Sequence, residues 1–88
     1  MIVELDGIFI ESSESLIEGV VGCRIYTQYQ PCIALFTCNL EQLFKLSALE
    51  SALKDENGNA HANRFMVEDV IRFLDESLGI IVLQKEDE

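Results

Sequence analysis

The sequence has no tryptophan, one proline, one histidine and only six basic residues against sixteen acidic ones. Each shortage removes a class of activity. At a net charge of −10 the chain repels a phosphate backbone, which argues against direct nucleic-acid binding. The same field argues against anionic membrane surfaces, and no apolar stretch approaches the length of a membrane span. The start, Met1-Ile2-Val3-Glu4, lacks the basic n-region of a secretion signal and soon meets acids. Three cysteines, an odd number without such a signal, read as reduced thiols in the cytoplasm.

What the chain does have is apolar mass. Of its 88 residues 49% are apolar, and mean hydropathy is +0.19. This length makes one domain, residues 1–88, ending in a frayed acidic tail at 85–88. So small a body has little interior, so part of the apolar content is expected to face another chain, and a homodimer is the expected assembly. The acidity keeps a greasy small protein soluble and equally suits a basic protein partner.

The run Cys32-Ile33-Ala34-Leu35-Phe36-Thr37-Cys38 organises the rest. It carries no charge and no glycine, follows Pro31 and ends at Asn39. Both of its alternating faces are apolar, which predicts a central strand covered on both sides. Val20–Gln28 alternates as a strand before it, with Val21, Cys23 and Ile25 on one face and Val20, Arg24 and Tyr26 on the other. Ile2–Glu11 is also strand-like. Its Asp6-Gly7 either turns a two-residue hairpin or kinks one longer strand, and the shortness of the two arms favours the single strand with a bulge. Ser12–Gly19 reads as a loop with a short helical turn.

Asn39 is placed to cap a helix over Leu40–Lys54, with Gln42 at capping-box spacing. The apolar residues of this helix spread over a wide arc. Leu46, Leu49 and Leu53 cluster on one side, whereas Phe44, Ala48 and Ala52 lie well round from them, so burial on more than one side is expected. After the polar loop Asp55–Ala62, a second helix from about Asn63 to Leu78 carries Val67, Val70, Ile71, Leu74 and Leu78 on one stripe and stops at Gly79. Ile80–Gln84 reads as a last strand. The chain order is then β-β-β-α-α-β: an α+β fold with an antiparallel sheet of about four strands and two helices packed on one face.

Constellations that could carry chemistry fail on spacing. Three cysteines and His61 match a zinc site in number, but their gaps are not those of close ligand pairs, and buried structural thiols explain them better. Asp55, Asn57 and Asn59 open like a calcium loop. Ala60 then stands where glycine is needed and Met66 where a bidentate glutamate is needed. Nothing places His61 beside a cysteine, and the apolar setting of Cys32 and Cys38 works against a reactive thiolate. No catalytic, cofactor-binding or metal-ligating residue is assigned, and no cofactor is expected.

The remaining candidates are contacts. Tyr26, Tyr29 and Pro31 mark the turn between the two best strands, and tyrosine is favoured at binding hot spots. Leu46, Leu49 and Leu53 are candidates for a helix-borne interface. Glu68, Asp69, Asp75 and Glu76, interrupted by Arg72, form an acidic face suited to the rim of a basic partner. The sequence therefore points to a non-catalytic acidic interaction module, of the inhibitor, immunity, antitoxin or adaptor kind, that self-associates. The alternative is a small-molecule-binding domain or minor enzyme with an apolar pocket between sheet and helices. Phe9, Phe36, Phe44, Phe65 and Phe73 could line that pocket.

Overall fold

A computed structural model describes the backbone of residues 1–57 and 66–84, and the side chains of residues 1–52 and 66–82. The first apolar segment is two strands, β1 (Ile2–Leu5) and β2 (Ile8–Ser12), paired antiparallel with Leu5 opposite Ile8. Between them Asp6 and Gly7 both take left-handed backbone, with φ of 52° and 88°. That is the mirror-image turn whose twist matches the flanking strands. The expectation of one bulged strand is therefore corrected: the turn chemistry of Asp-Gly outweighs the shortness of the arms, because the sheet beyond supplies what an isolated hairpin lacks.

The helical turn expected in Ser12–Gly19 is also absent. Ile17 and Val20 exchange both backbone hydrogen bonds, at 2.9 and 3.0 Å, around Glu18 and Gly19, whose φ values are 53° and 83°. A second tight turn thus feeds β3 (Val20–Tyr26). β3 pairs with β2 and with β4 (Ala34–Asn39), in the latter case from Val20 opposite Asn39 to Ile25 opposite Ala34. The helices α1 (Leu40–Asn57) and α2 (Val67–Leu78) follow. A two-residue strand β5 (Leu83–Gln84) then returns to pair with Ala34 and Leu35. Among the described residues the sheet has five antiparallel strands in sequence order. The α+β class stands, and the chain order is corrected to β-β-β-β-α-α-β.

Strand alternation sorts side chains cleanly. Val3, Leu5, Ile8, Ile10, Val21, Cys23, Ile25, Ala34, Phe36 and Cys38 are buried on one face, in one cluster with Leu43 and Leu46 of α1 and Val70 and Leu74 of α2. Each such side chain contributes on the order of 1.5–3 kcal/mol by leaving water. The helices are held over this face by local chemistry. Asn39 and Gln42 form a reciprocal capping box: the Gln42 N–H donates to Asn39 Oδ1 at 2.8 Å, and the Asn39 N–H donates to Gln42 Oε1 at 2.9 Å. Gln42 Nε2 also donates to the Leu78 carbonyl at 2.8 Å, tying the start of α1 to the end of α2. α2 starts with the Met66 N–H donating to Asp69 Oδ2 at 2.9 Å. It ends at Gly79, which takes left-handed backbone at φ 69° and donates to the Asp75 carbonyl at 3.0 Å.

Along the edge of the sheet, the Glu4 N–H donates to Glu50 Oε2 of α1 at 2.7 Å. A helix side chain thereby occupies a backbone donor that could otherwise recruit another strand.

A candidate interaction face on the open side of the sheet

The other face of the sheet has no cover among the described residues. β4 shows this most clearly. Both of its faces are apolar, and burial on both sides was expected, yet Leu35 is 51% exposed and Thr37 is exposed. In this chain the helices cover one side only. Register places Ile2, Glu11, Arg24, Leu35 and Leu83 in one row across the strands. Glu4, Phe9 and Tyr26 form the next row. Exposed Met1, Ile2, Val20 and Leu35 and half-buried Phe9 and Tyr26 make this face apolar as well as open.

Its polar residues are organised. The Phe9 and Tyr26 rings stack at 5.2 Å. Arg24 lies over the Tyr26 ring at 4.6 Å and pairs with Glu11 across the strands. Cross-strand stacking, cation–π contact and the ion pair each contribute a fraction of a kcal/mol at this exposure, on the order of 0.2–1. They hold Arg24 flat against the sheet rather than projecting.

Beside Arg24 the surface dips into an open trough of about 670 Å³. Gly22 is at its floor, Glu11 and Glu14 are on one side, and Leu35, Thr37 and Ile81 are on the other. Ile81, in the segment between α2 and β5, is 80% exposed. Between sheet and helices, in contrast, the hollow bounded by Leu5, Leu49, Asp69, Val70 and Phe73 measures about 60 Å³. That is well short of the few hundred Å³ of a ligand pocket.

The residues singled out from sequence do not converge. Tyr26 belongs to the open face. Tyr29 is 84% exposed in the β3–β4 loop, with Pro31 exposed nearby. Thr27 Oγ1 shapes that loop by accepting from the backbone N–H groups of Tyr29 and Gln30 at 3.2 and 3.3 Å. Leu46 is fully buried in the core of this chain and Leu49 packs against that core, while the Leu53 side chain lies outside the described residues. The exposed apolar side of α1 is instead Leu40 and Phe44, the latter 65% exposed. On α2, Glu68, Asp75 and Glu76 are exposed, and half-buried Asp69 approaches Arg72 at 3.6 Å.

The thiols are core material. Cys23 and Cys38 lie on neighbouring strands with their sulfurs 3.6 Å apart. Burial pushes the Cys23 thiol up to about 12, with the neighbouring Cys38 adding to it, and burial raises Cys38 as well. Thiolates are disfavoured there, which is the reverse of what nucleophilic chemistry needs. Cys32 is half-buried and lies before β4. His61, Phe65 and most of the loop read against the calcium pattern lie outside the described residues. No helix of the described residues is long and apolar enough to cross a membrane.

Sequence reasoning missed two features. The Cys23–Cys38 contact depends on strand register, which the spacing alone does not give. The trough depends on Gly22 facing outward, a position that the alternation of Val21, Cys23 and Ile25 already implied. Compared with known protein families, with curated proteins and with solved structures, the chain matches none.

Proposed function

We propose that this chain is a non-catalytic, acidic protein-interaction module that works through the uncovered face of its sheet. One observation carries the reading. The antiparallel sheet is buried by helices on one side, while its other side exposes Ile2, Val20 and Leu35 around an ordered Phe9–Tyr26–Arg24–Glu11 group. Scattered surface apolar residues are ordinary, but an open sheet face that sets apolar side chains around an organised polar centre has the composition of an interface. A net charge of −10 favours a basic protein as the partner. Self-association belongs to the same proposal, with exposed Leu40 and Phe44 on α1 as further apolar surface.

The test has two parts. Light scattering at two concentrations should show a mass that rises with concentration. A pull-down at low and high salt should capture basic partners that Leu35→Glu loses and that salt releases. A mass that stays monomeric, together with capture indifferent to both salt and Leu35→Glu, contradicts the reading.

A second reading rests on the trough itself. Its volume of about 670 Å³ falls in the range of small-molecule sites. We place the small-molecule alternative, drawn from sequence for the sheet–helix interior, at this open face instead. A small ligand protecting the chain against thermal unfolding, with no protein captured, would favour it.

A further inference from the structure

Gly22 has no role in the fold that its surroundings explain. It lies inside β3, where glycine weakens a strand through entropy and missing side-chain contacts. The usual reasons for tolerating it are absent. Its φ is not in the left-handed region, unlike those of Gly7, Gly19 and Gly79. No bulge interrupts the ladder, since Val21, Gly22 and Cys23 pair in step with Cys38, Thr37 and Phe36. A Cβ built there meets nothing within 4 Å. Among the described residues neither backbone conformation nor a close neighbour demands glycine. The remaining physical reason is a close approach from outside.

The walls of the trough describe what approaches. Leu35 and Ile81 give it an apolar side, and Gly22 a flat floor. On the opposite side stand Glu11 and Glu14; among the described residues Arg24 is the one basic side chain lining the trough, and Met1 lines it too, its ammonium donating to the Ser12 carbonyl at 3.4 Å. Arg24 is already engaged by Glu11 and lies over Tyr26. Among the described residues Glu14 has no ion-pair partner, so this one carboxylate is free to meet a cation. A second copy of this chain would bring another net charge of −10 against that side. A cationic occupant would meet attraction instead.

We propose that the Gly22 trough is a docking site for a basic, amphipathic segment of a partner protein, with an apolar side chain of that segment on Gly22 between Leu35 and Ile81 and a Lys or Arg against Glu14. The proposal rests on the interaction-module reading and adds the partner's chemistry and its seat. It gives Gly22 a purpose: any side chain there would stand where the partner's side chain must lie.

The same geometry supplies a clean test. Since nothing crowds the Cβ position, Gly22→Val fills the trough without disturbing the fold, and valine suits a strand better than glycine does. Binding is read by fluorescence anisotropy with three labelled probes: an amphipathic Lys/Leu peptide, its Glu/Leu counterpart and a Lys/Ser peptide of equal charge. The wild-type chain is expected to bind the Lys/Leu peptide saturably, the Lys/Ser peptide at least about tenfold more weakly, and the Glu/Leu peptide not at all. Gly22→Val should weaken Lys/Leu binding by about tenfold or more while its urea midpoint stays equal or rises. Glu14→Gln should weaken it by a few fold and flatten its salt dependence. Phe44→Ala, on the outer side of α1, should leave it unchanged.

Equal binding of the Lys/Leu peptide by Gly22→Val and wild type overturns the proposal, because attraction is then diffuse. So does a wild-type chain that ignores this peptide, or a Gly22→Val change that dissociates a homodimer, which would make the occupant a second copy. Each of these results can occur while salt-labile capture through Leu35 persists, so failure of the trough is distinguishable from failure of the broader reading.

Discussion

The two faces of one sheet both carry large apolar side chains and have opposite fates. On the covered face, Ile10, Ile25, Ala34 and Phe36 are buried beneath two helices. On the open face, one residue away along the same strands, Ile2, Phe9, Tyr26 and Leu35 meet solvent wholly or in part. The difference is not hydrophobicity but what else the face carries. The covered face holds thiols, aliphatic groups and the Phe36 ring, with Ser12 as its buried polar residue. The open face intersperses Glu4, Glu11 and Arg24 with its apolar groups. A face with fixed charges cannot be buried dry at low cost, but it suits a partner that brings complementary charge. Apolar content alone therefore does not distinguish a core from an interface.

The largest effect should separate the faces directly. Ile25→Ala, at a position with no exposure, should cost about 2–5 kcal/mol. Leu35→Ala, half-exposed on the next strand, should cost about 1 kcal/mol or less. Urea denaturation of both variants measures the contrast, and equal losses would mean that the open face is covered in solution. Next in size is the junction that brings the helices over the covered face. Asn39→Ala removes the capping-box acceptor and should cost about 1 kcal/mol by the same measurement, with loss of helical ellipticity on heating. Smaller still is the polar centre of the open face. Arg24→Ala removes an exposed ion pair and a cation–π contact, and should cost on the order of 0.5–1 kcal/mol, decreasing with salt.

The last contrast is silent at neutral pH. Burial raises the Cys23 thiol from an ordinary 9.0 to about 12, so the folded chain keeps a proton that the unfolded chain releases. Below pH 9 both states hold the proton and the thiol adds no pH dependence. Between pH 9 and pH 12 the unfolded state binds fewer protons, so stability falls as pH rises. Cys23→Ala should remove part of that alkaline slope in urea midpoints collected across this window. In the native state a thiol reagent should modify half-buried Cys32 before buried Cys23 and Cys38, and all three together once urea unfolds the chain.

Much of this architecture was legible where local chemistry decides it. Asn39 and Gln42 announced the start of α1, and Gly79 the end of α2, because capping groups act within a few residues. Alternation in Val20–Tyr26 gave the correct inward set Val21, Cys23 and Ile25. Legibility failed where distant context decides. Asp6-Gly7 carried the hairpin signal, but the shortness of its arms argued the other way, and the neighbouring strands reversed that. Glu18 in left-handed backbone has no strong sequence signature, so Ser12–Gly19 reads as a loop with a helical turn although it forms a tight turn before β3. The apolar second face of β4 signalled burial without saying by what, and in this chain nothing described covers it. Leu46 and Leu49 read from sequence as interface candidates, but in this chain the fold directs them inward, a choice between core and partner that a wide apolar arc does not make.

The central claim is that the open face, and not another surface, meets the partner. A photo-crosslinking residue at Leu35 tests it most directly, with the same residue at Phe44 on α1 as the comparison. Leu35 should yield crosslinks to a basic protein, high salt should reduce them, and Gly22→Val should suppress them. Crosslinks from Phe44 but none from Leu35 would contradict it.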